Sequence, residues 1–226
     1  MTKSTIQNQT AVFSEAARSL STAEISDALD ALRLPGSAFG IKHIAGAKKM
    51  MMGPAYTVRL IPISLDAPGT VGDFIDDVPQ GAVIVLDNGG RLDCTVWGGI
   101  LSRVAKKCGI EGTVIYGVCR DTAEAELVNY PLYANGTFMR TGKDRVQVEA
   151  VNGPVSLGDV RVMPGDLICG DSDGIVVVPA QRCGEVLAKA LHTREREDKI
   201  LEAALAGTPL RDARKTFGYH TLQRPS

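Results

Sequence analysis

Apolar and polar positions along the chain follow two different periods, and the switches between them mark its elements. Residues 11–20 read as a helix. A second helix opens on Ser21-Thr-Ala-Glu24, a capping-box pattern, and places Ile25, Leu29 and Leu32 on one face. Pro35-Gly36 stops it. A strand is predicted at about 55–63, its alternation weak enough to imply burial on both faces. Residues 64–81 are loop-rich, holding Pro68, Gly69, Gly72, Pro79 and Gly81.

Two βα units come next. Ala82-Val-Ile-Val-Leu-Asp87 is a continuous apolar strand, and residues 100–108 form a helix closed by Gly109. Residues 113–117 give the next strand and 122–128 a short helix. A right-handed crossover makes the two strands parallel and adjacent, with their C-terminal ends on the sheet edge where open α/β sheets bind ligands. After Pro131 the pattern becomes short β segments at 132–138, 145–151, 160–163, 167–169 and 175–178, with a turn at Asn152-Gly153. These predict an antiparallel or barrel-like β half packed on the βα half. A long amphipathic helix at about 181–205 ends at Gly207, followed by Pro209 and a polar tail from 208 to 226 suited to crossing to a neighbouring subunit.

Composition narrows the function classes. The 226 residues fit one domain, spanning 1–226, with a full core. Twenty-five basic against 26 acidic residues leave a formal charge of −1, which offers no footprint for nucleic acid. No apolar run is long enough for a membrane span, and the N-terminus lacks a secretory signal. The five cysteines, Cys94, Cys108, Cys119, Cys169 and Cys183, are scattered without a CxxC pair. They read as reduced cytoplasmic thiols. Cys119 adjoins Arg120, but a small buried residue at a strand end explains it better than a nucleophile does.

The candidate chemistry sits at the ends of the two βα units. Arg120-Asp121 places a fixed cation beside a hard-metal ligand, and Trp97-Gly-Gly-Ile-Leu101 is a glycine-rich start to a helix whose amides can face an anion. Together these could hold a small metal-bound oxyacid. An exposed ion pair and a crowding-relief glycine explain the same residues about equally well. Other patterns fail. Gly170-Asp-Ser-Asp-Gly174 lacks the twelfth-position Glu of a calcium loop, having Arg182, and reads as a tight turn. No dinucleotide or P-loop motif is present, His43, His192 and His220 are isolated, and Asp76-Asp77 reads as a solvated turn.

The stretches Trp97-Gly-Gly-Ile-Leu101, Ala105-Lys-Lys-Cys-Gly109 and Gly117-Val-Cys-Arg-Asp-Thr-Ala-Glu124 resemble the RraA-like family. Its hallmark is a glycine, twenty residues, Arg-Asp, two residues, then Glu or Asp; here Gly99, Arg120-Asp121 and Glu124 match it. Gly165-Asp166 and Gly170-Asp-Ser-Asp-Gly-Ile-Val-Val-Val-Pro179 are similar to the family's β half, so the resemblance spans roughly residues 20–205. The chain departs from the family by having Gly99 where an acidic residue is frequent, and a shorter segment between Gly72-Asp73 and the Ala82 strand.

The resemblance implies a compact α/β domain of the β/β/α swivelling type, with a parallel βα half, a β-rich half and helical termini, assembling as a homotrimer or homohexamer. It implies a class II pyruvate aldolase that cleaves 4-hydroxy-2-oxo diacids such as 4-hydroxy-4-methyl-2-oxoglutarate, with oxaloacetate decarboxylase side activity. On this basis Arg120 binds substrate and Asp121 ligates Mg2+ or Mn2+. The amides of Gly98, Gly99, Ile100 and Leu101 hold the pyruvyl carboxylate. Glu124 stands behind the ion, and Glu195 or Glu197 reaches it from a neighbouring subunit. The same resemblance admits a non-catalytic regulator of a ribonuclease, or a related 2-oxo-acid hydratase or tautomerase.

Overall fold

The computed structural model describes residues 15–219. The start of the predicted 11–20 helix and His220 lie outside them. The chain runs α1 (Glu15–Arg18), α2 (Thr22–Ala31), β1 (Ser37–Ala38), β2 (Lys42–Ala45), β3 (Met51–Pro62), β4 (Val83–Asp87), α3 (Gly99–Lys107), β5 (Gly112–Cys119) and α4 (Thr122–Leu127). It continues through β6 (Leu132–Thr137), β7 (Val146–Val151), β8 (Val155–Leu157), β9 (Val160–Val162), β10 (Leu167–Gly170), β11 (Ile175–Val178), α5 (Cys183–Leu205) and α6 (Leu210–Thr216). The capping box at the start of α2 forms as expected. Ser21 Oγ accepts the Glu24 amide at 3.2 Å, and the Glu24 carboxylate accepts the Ser21 amide at 2.6 Å.

Nine of the described strands form one curled, mixed sheet in the order β1-β11-β10-β3-β4-β5-β6-β2, with β7 also on β3, and β8 and β9 pair separately. The long strand β3 is its spine. Its first residues pair antiparallel with β10, its middle pairs parallel with β4, and its end pairs antiparallel with β7. This strand begins earlier than the pattern at 55–63 implied, because Met51 and Met52 are buried too. β4 and β5 are parallel neighbours, as the crossover rule requires.

One assignment needs correction. The segment after Pro131 does not open the antiparallel half: β6 lies parallel to β5 and extends the βα half by one strand. Its glycine and turn residues obscured a further parallel strand. The short strands β1, β2 and β8, and a 3-10 turn at Asp73–Asp77 within the loop-rich stretch, also carried no sequence signal. Within the described part of the polar tail, residues 210–216 form α6, with Ala213 buried. The turn at 170–174 is a tight hairpin joining β10 to β11.

Period-two alternation explains the doubly buried strands. Tyr56, Val58, Ile84, Leu86 and Ile115 face one apolar cluster that also takes in Trp97 and Ala105, beside α3. Ala55, Val83, Val85 and Val114 face a second cluster closed by the β8–β9 hairpin. A third unites α1, α2 and α5 with β10 and β11. Both faces are covered, so β4 reads as an unbroken apolar run.

Candidate active site

Because β4 and β5 are parallel neighbours, the segments leaving their C-terminal ends meet at one edge. The backbone ties them: the Arg120 amide donates to the Trp97 carbonyl at 3.1 Å. Trp97 itself is buried, its indole N–H donating to Ser102 Oγ at 2.9 Å and its ring stacked on Tyr130 at 6.0 Å. A buried, hydrogen-bonded residue thus immediately precedes Gly98 and Gly99.

Helix α3 starts at Gly98 without a side-chain cap, and its first intrahelical bond runs from the Ser102 amide to the Gly98 carbonyl at 3.1 Å. The amides before it need other partners. Asp121 supplies one, its Oδ2 accepting the Gly99 N–H at 3.0 Å. Glycine leaves the room for this approach. A Cβ at Gly98 would lie 2.8 Å from Asp121 Oδ2, and one at Gly99 would lie 2.9 Å from Glu124 Cγ.

Asp121 is the N-cap of α4 but leaves that helix uncapped, since its backbone is left-handed at φ 55, ψ 39. Few residues other than glycine adopt this conformation, and Asp is among the tolerated ones. It turns the carboxylate back toward α3. Arg120 Nε lies 3.6 Å from Asp121 Oδ2, and its Nη1 donates to the Met139 carbonyl at 3.5 Å. The two side chains are 40% and 47% exposed, so their ion pair adds little to folding, and both remain open to a ligand.

They line a cleft of about 460 Å³ together with Gly98, Gly99, Ile100 and Leu101. Val71, Ile75 and Val104 supply an apolar wall, and Asp73, Asp76, Thr95, Thr141 and Lys143 add polar groups. The structure therefore brings six of the residues singled out by sequence into one place. Lys143 and Thr95 had no motif to reveal them, and Asp73 is marked in the sequence only as the end of the Gly72-Asp73 landmark. Asp76, read as a solvated turn residue, lines the same cleft.

Three other candidates lie elsewhere. Glu124 does not line the cleft and pairs with Arg103, whose Nε donates to Glu124 Oε2 at 2.7 Å. Glu195 and Glu197 are on α5, the helix that packs with α2 in the third cluster, and neither lines the cleft. Burial, and then Asp27, Glu24 and Asp198, push the Glu197 carboxyl up from its ordinary value. Cys119 behaves as the buried residue expected. Burial raises its thiol to about 12, which suppresses the thiolate. His43 packs edge-on against Tyr133, outside the cleft.

Among the described residues no group of three His, Cys, Asp or Glu side chains gathers to hold an ion. Asp121 Oδ2 is engaged by Gly99 and Arg120, while no hydrogen bond or ion pair among these residues engages Oδ1. One carboxylate oxygen facing a water-accessible cleft suits Mg2+ or Mn2+, which keep several waters and few protein ligands. It does not suit a structural zinc site.

Residues 22–177 match the family model described as RraA-like, Aldolase/RraA. The chain is 39% identical to the protein DlpA of Legionella pneumophila over 88% of its own length, though it spans only 32% of that longer protein. It is 35% identical to a Halalkalibacterium halodurans protein named "Putative 4-hydroxy-4-methyl-2-oxoglutarate aldolase", covering 84% of this chain and 86% of that one. Among solved structures, an uncharacterised Pseudomonas syringae protein superposes with a TM-score of 0.81 at 38% identity, over 95% of this chain and 98% of that one. Streptomyces coelicolor RraAS2, described as an unusual member of the RNase ES inhibitor RraA protein family, gives 0.73 at 26% identity, over 81% and 92%. No helix among the described residues is long and apolar enough to cross a membrane.

Proposed function

Since the chain belongs to the RraA-like family, we propose that it is a divalent-metal-dependent lyase cleaving 4-hydroxy-2-oxo diacids to pyruvate and a second oxo acid. Decarboxylation of oxaloacetate, through the same pyruvate enolate, is its side activity. The observation that carries this is the convergence of the Asp121 carboxylate, the Arg120 guanidinium and the first turn of α3 on one cleft. The aldolase name of the Halalkalibacterium relative supports the same reaction class.

Asp121, through its unengaged Oδ1, is the residue that would hold Mg2+ or Mn2+. When bound, the ion supplies Lewis-acid polarisation of the substrate's 2-oxo group. The chain's own residues do the rest. The Gly99 amide is occupied by Asp121, so the C1 carboxylate falls to the amides of Gly98, Ile100 and Leu101, at the positive end of α3. Arg120, a permanently charged planar fork, binds the substrate and stabilises negative charge developing on its enolate oxygen. The Met139 carbonyl accepts one N–H of that fork at 3.5 Å. No lysine Schiff base is needed. In a single chain Glu195 and Glu197 do not reach the cleft, so any part they play requires a neighbouring subunit in a homotrimer or homohexamer.

A coupled pyruvate assay with oxaloacetate and a panel of 4-hydroxy-2-oxo acids tests the proposal. Release should depend on Mg2+ or Mn2+ and stop with chelator, and Arg120→Ala or Asp121→Ala should abolish it. Turnover that survives chelation or either substitution defeats the lyase. The likeness to RraAS2, described as an unusual member of the RNase ES inhibitor RraA protein family, favours the second possibility, a ribonuclease regulator, which requires inertness toward every 2-oxo acid in that assay together with binding to a ribonuclease.

A further inference from the structure

Helices α3 and α4 meet along two matched stripes. Gly99, Arg103 and Lys106 stand at i, i+4 and i+7 on α3, and so share one face. Each makes one contact across the gap. The Gly99 amide reaches Asp121 Oδ2 at 3.0 Å, Arg103 reaches Glu124 Oε2 at 2.7 Å, and Lys106 Nζ reaches the Asn129 carbonyl at 3.3 Å. Asp121 and Glu124 are three residues apart at the start of α4 and also share a face. The middle rung lies one turn behind the rung that touches the cleft.

From this arrangement, and resting on the proposed lyase, we infer that Arg103 and Glu124 act as positioning residues: their ion pair sets the spacing between the amide row of α3 and the Arg120-Asp121 pair. Three observations carry it. Glu124 does not line the cleft, so it is placed to act through the helix and not on a ligand. Gly99 packs so closely on Glu124 that an added Cβ would come within 2.9 Å of its Cγ, which makes Glu124 the floor on which the N-terminus of α3 rests. The Arg103–Glu124 pair is about half exposed, 54% and 42%, so folding gains little from it, while a change in its length shifts the facing helix end. Asp121 follows α4 and the open amides follow α3, so sliding one helix on the other opens the cleft's reacting end.

The test is a double-substitution cycle. Arg103→Ala, Glu124→Gln, the double variant and the charge-swapped Arg103→Glu/Glu124→Arg are compared with the wild type in pyruvate release, Mn2+ affinity by electron paramagnetic resonance, and Tm. If the pair acts as a unit, each single and the double lower kcat to the same extent, roughly tenfold to a hundredfold. Mn2+ affinity and Tm stay near wild type, and the swap recovers part of the loss. Loss of Mn2+ affinity in Glu124→Gln alone, losses that add in the double variant, or four silent variants would each overturn it. Should the wild type release no pyruvate, the lyase reading fails by itself. The role of the Arg103–Glu124 pair is then read from binding of oxalate, a planar mimic of the pyruvate enolate, through the fluorescence of Trp97, the chain's single tryptophan. Weaker oxalate binding in both single variants and no further weakening in the double sustains it, and unchanged binding overturns it.

Discussion

Asp121 Oδ2 accepts the Gly99 amide proton across 3.0 Å, joining the start of one helix to the cap position of the next. The same oxygen lies within ion-pair reach of Arg120 Nε. A single carboxylate oxygen therefore fixes the spacing of the three groups that define the cleft's polar end.

Substituting Asp121 by Asn keeps the shape and removes the charge. The expected result is a folded protein whose pyruvate release falls by about a hundredfold or more, the scale on which loss of one preorganised electrostatic group acts. The coupled assay measures the rate, and circular dichroism checks the fold. Activity within a factor of a few of wild type would remove Asp121 from the chemistry.

Gly98 and Gly99 leave room for this contact, and neither has positive φ, so the effect of alanine there is steric. Gly99→Ala should push α3 off Glu124 and lower pyruvate release steeply, with a stability loss of about 1–3 kcal/mol, typical of overpacking. A crystal structure of the variant should show the Gly99–Asp121 distance lengthened. An active variant with that distance unchanged would show that the close approach is not needed.

The Cys119 thiol holds its proton to about 12 in the folded chain, because burial disfavours the thiolate, against an ordinary value of 9.0. A raised folded value stabilises fully below the unfolded value and fades as pH rises through the folded one. Cys119→Ala should therefore flatten the fall in Tm between pH 9 and about 12. Iodoacetamide at pH 8 should label exposed Cys108 and spare Cys119, with peptide mass spectrometry as the readout. Rapid native labelling of Cys119 would contradict its burial.

Asp171 sits at the tip of the β10–β11 hairpin, yet its carboxylate accepts the Thr22 amide at 2.8 Å and the Thr22 hydroxyl at 2.7 Å. It completes the cap of α2 from 149 residues away. Asp171→Ala should cost about 1–2 kcal/mol, the usual scale for losing a helix cap. Urea denaturation followed by circular dichroism measures it, and an unchanged midpoint and slope would show the cap to be idle.

Elements with their own period or punctuation were legible from sequence. The capping box at Ser21, Gly109 at the end of α3 (φ 69) and the run at Val83–Asp87 all lie where local chemistry put them. The parallel pairing of β4 with β5 followed from chirality alone. Pairing over longer range was not legible. Nothing in Leu132–Thr137 announces a parallel neighbour, and Met51–Pro54 fell outside the predicted strand because its partner β10 lies more than a hundred residues later. The cleft divides the same way. Arg120, Asp121 and Gly98–Leu101 form contiguous motifs, whereas Lys143, Thr95 and Asp73 arrive from separate loops that only the fold brings together. Glu124 shows the remaining gap: its place in a motif marked it, but its direction is set by Arg103 on another helix.

The Thr22–Asp171 clasp has a bearing on how this polypeptide can be re-engineered. A surface turn such as Gly170–Gly174 is ordinarily the place to cut and rejoin a chain or to insert a tag. Here new termini at that tip would release α2 from its carboxylate and loosen the layer it forms with α5. Permuted versions should break instead at the Asn152-Gly153 corner, where an added Cβ on Gly153 meets nothing within 4 Å.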